Sequence, residues 1–226
     1  METVNLNEHP FSVPCTITLA GPSFSGKTSL VKYILDHRDT AFDTKFAGVV
    51  YCYSEMQDMF RTFEGTDIIL HYGMVTMEQL ESYIKKFNNQ PFLLIMDDLQ
   101  DVIMNDSTAE AISTRIAHHR GFAALTIRQN IFAPGRTSRT QSVNSQYLVL
   151  TRAVRDKKQI GVLGSQLFPG RGKIFMAIYD DAMNNPINKD MVPYIYLNCH
   201  PLRSQSDYQI MTNVFTPNGV RIVYRI

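Results

Sequence analysis

Residues 21–30 read GPSFSGKTSL: a glycine, four residues, then Gly-Lys-Thr, set directly after the apolar run CTITLA of residues 15–20. The stretch satisfies G-x-x-x-x-G-K-[ST], with Gly21, Gly26, Lys27 and Thr28 in the fixed positions. Each residue type has a physical task in such a loop. Glycines let the backbone curl until successive N–H groups point at phosphate oxygens, and the helix N-terminus behind them adds partial positive charge. A lysine here bridges the terminal phosphates of a nucleotide, and the hydroxyl that follows ligates magnesium. Nucleotide contact is therefore expected from Gly21, Pro22, Ser23, Phe24, Ser25, Gly26, Lys27, Thr28 and Ser29. The competing interpretation, a Gly-Ser turn with an exposed lysine, lacks the flanking context. A buried-strand candidate precedes the loop, and Lys27 to Leu35 follows with Leu30, Val31, Ile34 and Leu35 on one helical face.

A second signal lies 70 positions after Lys27. The apolar run PFLLIMDD (residues 91–98) ends in two adjacent carboxylates, Asp97 and Asp98. Like charges side by side repel, and a strand that dry ordinarily ends in a turn residue, so something must favour the pair. Magnesium bound to a nucleotide supplies that compensation. Asp97 is expected to hold the ion, and Asp98 to orient or deprotonate an attacking water. The run FAALTI (residues 122–127) ends in Arg128-Gln129-Asn130, and an amide at that strand tip would sit near the γ-phosphate.

The rest of the chain reads as alternating strands and helices. Further strands are expected over residues 46–53, 67–73, 147–151 and 194–198, with a terminal hairpin around Pro217-Asn218-Gly219. Thr76 with Gln79 forms a capping box, followed by Leu80, Tyr83, Ile84 and Phe87 at helical spacing; Ser107 with Glu110 repeats the capping pattern ahead of a helix toward His118. Alternation of this kind predicts an α/β fold with a largely parallel sheet covered by helices on both faces, and the loop motif makes it a P-loop NTPase. The 226 residues are read as one P-loop ATPase domain, with residues 1–12 an N-terminal extension and residues 200–226 a C-terminal hairpin segment.

Net charge is +1, but the total hides a split. Between Arg120 and Lys173 stand ten Lys or Arg and a single acid, Asp156, a net of +9 in 54 residues, while the remainder carries −8. Beside a nucleotide site, that excess favours a polyanion partner over a merely solvated basic face. The opening residues METVNLNEHP carry an early acid and no apolar core, so no signal peptide is expected, and no apolar run approaches membrane-spanning length. Cys15, Cys52 and Cys199 are far apart and form no CxxC, which fits a reducing compartment. Adjacent His118 and His119 point to different helical faces, which disfavours a shared metal.

Taken in order, GPSFSGKTSL, LLIMDDL, HHRGFAALTIRQNIF, VNSQYLVLTRAVRDKKQIGVLGSQLFP, PYIYLNCHP and TNVFTP resemble the FtsK/HerA-type genome-packaging ATPases of DNA viruses, especially those of Polinton-like and adintovirus-like elements, with poxvirus packaging ATPases more distant. The resemblance runs from about Val13 onward. It implies a RecA-like core, a homo-oligomeric ring, and ATP-driven translocation of double-stranded DNA into a capsid, with capsid vertex proteins as partners and the virion or infected host cell as location. Carried over by position, Lys27 and Thr28 match the phosphate and magnesium residues, Asp97 and Asp98 the second acidic motif, and Gln129 the sensor glutamine. The chain departs from the family pattern in having Ala153-Val154 where Asn-Pro is common, and Arg128 where threonine is usual.

ATP and Mg²⁺ are thus the expected cofactors, with an arginine finger supplied across a subunit interface. Arg120 and Arg155 are the finger candidates, with Arg139 and Arg152 behind them. The segment from Arg120 to Lys173 is expected to touch DNA phosphates, with no base-reading motif in view. A small-molecule P-loop kinase shares the loop and the carboxylates, and a non-catalytic assembly protein could use ATP only to order a ring; both stay open as alternatives.

Overall fold

A computed structural model describes residues 2–5, 9–99, 106–132, 143–184, 191–202, 209–215 and 220–226. Among the described residues, ten strands form one sheet: β1 (Glu2–Asn5), β2 (Cys15–Ala20), β3 (Val49–Tyr53), β4 (Ile68–Tyr72), β5 (Leu93–Asp97), β6 (Ala123–Arg128), β7 (Tyr147–Thr151), β8 (Tyr194–Asn198), β9 (Ile210–Thr212) and β10 (Val220–Tyr224). Their spatial order is β1-β10-β9-β8-β7-β2-β6-β5-β3-β4. From β7 to β4 every pairing is parallel, and from β7 to β1 every pairing is antiparallel. The expected largely parallel α/β sheet is present, extended on one side by an antiparallel wing. That wing includes β9 and β10 as the expected terminal pair; Pro217, Asn218 and Gly219 lie outside the described residues. Residues 2–5 contribute β1, an edge strand that the sequence pattern does not announce.

Alternation along the strands divides the core. On one face, Ile17 and Leu19 of β2, Ile95 of β5 and Leu125 of β6 meet Leu30, Val31, Ile34 and Leu35 of helix α1 (Lys27–Asp36), the four residues whose spacing marks the helix in sequence. The short helix α2 (Arg38–Ala41) lies on the same face. On the other face, α3 (Met77–Lys86) and α4 (residues 107–120) cover β3, β5 and β6 through Leu80, Ile84, Ala109 and Ile112. Further along that face, α5 (Lys157–Leu167) and α6 (Gly172–Asn184) cover β7 to β10. Burial on both sides explains why FLLIM reads as an unbroken apolar run, and in CTITLA the alternating Thr16 and Thr18 are buried along with their apolar neighbours.

Helix starts follow their caps. Thr76 and Gln79 exchange side-chain and backbone hydrogen bonds at 3.2 and 2.8 Å, so the first capping box forms as read. The second does not: Asp106 is the N-cap of α4, its Oδ1 accepting from the Thr108 and Ala109 amides at 2.7 and 2.9 Å, and Ser107 is already helical. A carboxylate one residue earlier satisfies two orphan donors where the serine would satisfy one. Midway, residues 112–116 widen into a π-helical turn.

Helices α5 and α6 pack closely because glycine occupies the contact. A Cβ built on Gly164 would meet Phe175 Cδ1 at 2.3 Å, whereas one on Gly161 meets only Met176 Sδ, at an ordinary 3.7 Å. Gly164→Ala should therefore destabilise the fold by about 1–3 kcal/mol through overpacking. Gly161→Ala should be neutral or stabilising by up to about 1 kcal/mol, since alanine costs less chain entropy in a helix. Chemical denaturation of both variants reads the opposite signs.

Candidate nucleotide site

Parallel pairing brings the sequence signals to one edge of the sheet. Ala20 is level with Arg128 across β2 and β6, and Asp97 is level with Ile127 across β5 and β6. The loop after β2, the two acids at the end of β5 and Gln129 after β6 consequently sit side by side at the C-terminal ends of their strands, where α/β sheets place ligands. The strand bearing Gln129 lies between the other two, adjacent to both.

The loop has the curl that the glycines anticipate. Gly26 takes φ 84° as the residue before α1, a left-handed conformation suited to glycine, and a Cβ there would stand 2.4 Å from Val192 Cγ2. Gly21 is fixed by its surroundings: a Cβ would fall 1.9 Å from Thr151 Oγ1. Thr151, at the end of β7 and fully buried, shares a 2.6 Å hydrogen bond with Ser25 Oγ and holds the loop against the sheet. Lys27 Nζ donates to the carbonyls of Gly21 and Pro22 at 2.7 and 2.9 Å. Partial burial pushes its ammonium below the usual lysine range, and the nearby charges of Asp98 and Asp97 oppose that shift. Thr28 is half-buried in the first turn of α1, and Pro22, Ser23 and Ser29 are exposed. Phe24 projects from the loop tip, fully exposed, with φ 62°.

Asp97 and Asp98 differ in environment. Asp97 is 4% exposed, and its Oδ2 accepts from Tyr51 Oη at 2.7 Å and Gln57 Nε2 at 3.0 Å. Burial raises its carboxyl above the usual aspartate range; the two hydrogen bonds pull it back, Asp98 adds to the rise and Lys27 opposes it. Asp98 is exposed, with φ 49°. A left-handed aspartate costs of order 1–2 kcal/mol and marks a position the surroundings over-determine. Its carbonyl accepts from Ser54 Oγ at 3.0 Å, and both its carboxylate oxygens lie 3.3 Å from Gln129 Nε2. Asp98 and Gln129, 31 residues apart in sequence, therefore meet.

The arginines separate. Arg120 ends α4 at the opposite edge of the sheet and is ion-paired with Glu81, about 20 Å from the loop by the length of a six-residue strand. Arg155 is exposed beside the loop, on the segment after β7. Arg152 donates to Asn184 Oδ1, and Arg139 lies outside the described residues. Arg128 is 2% exposed, so it occupies the interior of the sheet rather than the site's surface, and burial lowers its guanidinium to about 10. A pocket of about 610 Å³ opens on the β7 side of the loop, with Ala20, Ile131, Ala153 and Ile160 as its apolar floor and Arg152, Arg155 and Asp156 at its rim. It touches Gly21 to Ser25 and Gln129, while Lys27, Thr28 and the two acids lie outside its lining. Tyr51, Gln57, Thr151 and Val192 belong to the site without any sequence motif to reveal them.

No protein-family model matches the chain, and a search of curated proteins gives no match. Solved structures do share its fold. The genome packaging NTPase B204 from Sulfolobus turreted icosahedral virus 2, in complex with ATP-gammaS, is 11% identical with a TM-score of 0.54, covering 94% of this chain and 98% of that chain. The same protein in complex with AMPPCP is 15% identical with a TM-score of 0.51, covering 94% and 99%. B204 from Sulfolobus Turreted Icosahedral Virus, described as a DNA-packaging ATPase, gives 11%, 0.52, 94% and 98%. At these identities the likeness establishes a shared P-loop α/β fold over almost the whole of both chains.

Gly26→Ala tests the loop's two constraints separately. The variant should lose roughly 1–3 kcal/mol, part from the left-handed backbone and part from the contact with Val192. Adding Val192→Ala should recover only the steric part, which thermal denaturation of the single and double variants resolves.

Proposed function

We propose that this chain is the ATPase subunit of a ring-shaped motor that hydrolyses ATP between subunits and drives double-stranded DNA into a viral capsid. The observation that carries the hydrolytic reading is the meeting of Gln129 Nε2 with both oxygens of Asp98, beside a lysine-bearing loop. An exposed carboxylate held in a fixed, strained backbone is suited to orient a water and take its proton, and the amide next to it is placed to register the terminal phosphate. Lys27 would exchange its two carbonyl partners for phosphate oxygens, with the loop amides around it. Thr28 and Asp97 fit magnesium as hard oxygen donors, and the ion when bound would neutralise charge on the phosphates. The B204 structures support the reading, since a chain of the same fold and length is a genome packaging NTPase bound to ATP analogues. The Polinton-like affiliation, the capsid vertex partners and the location in virion or infected cell rest on the sequence resemblance.

Between the finger candidates, Arg155 stands exposed on the nucleotide edge, whereas Arg120 would have to leave Glu81 to reach a neighbour. For DNA, the basic segment divides into unequal parts: Arg128 is buried, Lys157 is paired with Asp180 at 2.7 Å, and Lys158, Arg171 and Lys173 remain exposed on α5, its link to α6 and the start of α6. That hairpin is the part of the segment we assign to duplex phosphates. The kinase alternative draws on the 610 Å³ pocket, whose arginine rim beside the loop could receive a second substrate. Turnover stimulated by long duplex DNA favours the motor, and phosphorylation of a nucleoside or metabolite favours the kinase.

Asp98→Asn, which keeps shape and tolerates the left-handed backbone, should retain ATP binding while slowing steady-state hydrolysis by roughly 10²-fold or more. Hydrolysis at the wild-type rate would remove Asp98 from the chemistry. Duplex binding should fall linearly with salt on logarithmic axes, and replacing Lys158, Arg171 and Lys173 together by alanine should flatten the slope by about 2–3. An unchanged slope, measured by fluorescence anisotropy, would move the DNA contact elsewhere.

A further inference from the structure

Asp97 reaches its buried position at the end of β5 with one oxygen, Oδ2, bonded to two donors from different elements. Tyr51 comes from β3, the neighbouring parallel strand, and is fully buried. Its ring is packed edge-on to Phe60 at 5.2 Å and tilted against Phe63 at 6.0 Å, both on the 3₁₀ turn of residues 58–63. Gln57 is the residue at the start of that same turn. A single packed unit, anchored by Phe60 and Phe63, thus sets both donors. In that contact the Tyr51 hydroxyl is the donor and Asp97 Oδ2 the acceptor.

A buried carboxylate needs partners merely to exist, and one donor would lessen that cost. Two donors on the same oxygen do something further: they fix the rotation of the carboxylate, so that Oδ1 keeps one direction. Resting on the nucleotide reading above, we infer that Tyr51 and Gln57 are positioning residues that orient Asp97 toward the magnesium of the bound nucleotide. The pair explains why Asp97 can be buried while Asp98, one residue on, is exposed and held by Gln129 instead. The two acids are held by separate supports, which suits one to the metal and the other to water.

The test separates orientation from simple support. Binding of a fluorescent ATP analogue is measured at increasing Mg²⁺ and in EDTA, together with melting temperature, for wild type, Tyr51→Phe, Gln57→Met and Asp97→Asn. If Tyr51 and Gln57 orient the metal carboxylate, each single variant should raise the Mg²⁺ concentration for half-maximal tightening by about 10-fold or more, the range for partners of metal ligands. Affinity in EDTA should stay at the wild-type value. Gln57→Met carries the test if the core variant fails to fold, because Gln57 is only half-buried. A fall in melting temperature with an unchanged Mg²⁺ requirement would overturn the inference and leave the pair a structural support. Binding that ignores both Mg²⁺ and the Asp97→Asn change would overturn the inference at Asp97 itself, whereas wild type failing to bind the analogue at any Mg²⁺ concentration would overturn the nucleotide reading on which it rests.

Discussion

The parallel register of β2, β6 and β5 is the constraint on which the site depends. Because Ala20, Arg128 and Asp97 end their strands nearly level, the phosphate-type loop, the amide of Gln129 and the twin acids open onto one edge. A slip of one residue in any pairing would turn that strand's side chains to the opposite face. The register is held by two dry faces, with Leu19, Ile95 and Leu125 on one and Met96 and Ala124 on the other, so shifting it would expose or clash apolar groups on both sides at once. The chemistry is therefore positioned by the core rather than by the loops that display it.

The same arrangement accounts for where strain is tolerated. Gly26 and Asp98 both have left-handed backbones, one before α1 and the other after β5, on either side of the strand that presents Gln129. Glycine takes that conformation freely, with Val192 excluding any larger residue, whereas Asp98 is locked from outside by Ser54 and Gln129. Residues in sparsely populated conformations persist where neighbours over-determine them, and such positions cluster at functional sites. Thr151 holds the loop as well by bonding Ser25 from β7, tying it to the strand that leads into the arginine-bearing segment.

Much of this was legible in the sequence because it is local. The loop motif, the helix after it and the acid pair at the end of an apolar run depend on spacing within a few residues, and each appears where expected. What the sequence left hidden depends on contacts between distant segments. Tyr51 and Gln57 belong to Asp97 only once β3 is known to lie beside β5, and Val192 bears on Gly26 only through the return of the chain into β8. The basic segment misleads for the same reason. Counted along the chain, Arg120 to Lys173 is one block, but folding sends Arg120 to the far edge, Arg128 into the core and Lys157 onto Asp180. The cap of α4 falls one residue ahead of Ser107 because Asp106 and Ser107 are both good caps, and Asp106 is the one that meets two amides.

A structure of the protein determined with a non-hydrolysable ATP analogue and Mg²⁺ tests the central claim most directly. Phosphates should lie within the curl of Gly21 to Thr28, with Lys27 turned from its two carbonyls onto them and the metal between Thr28 and Asp97. Nucleotide bound elsewhere, or bound with Lys27 still on Gly21 and Pro22 and no metal near Asp97, would contradict the account.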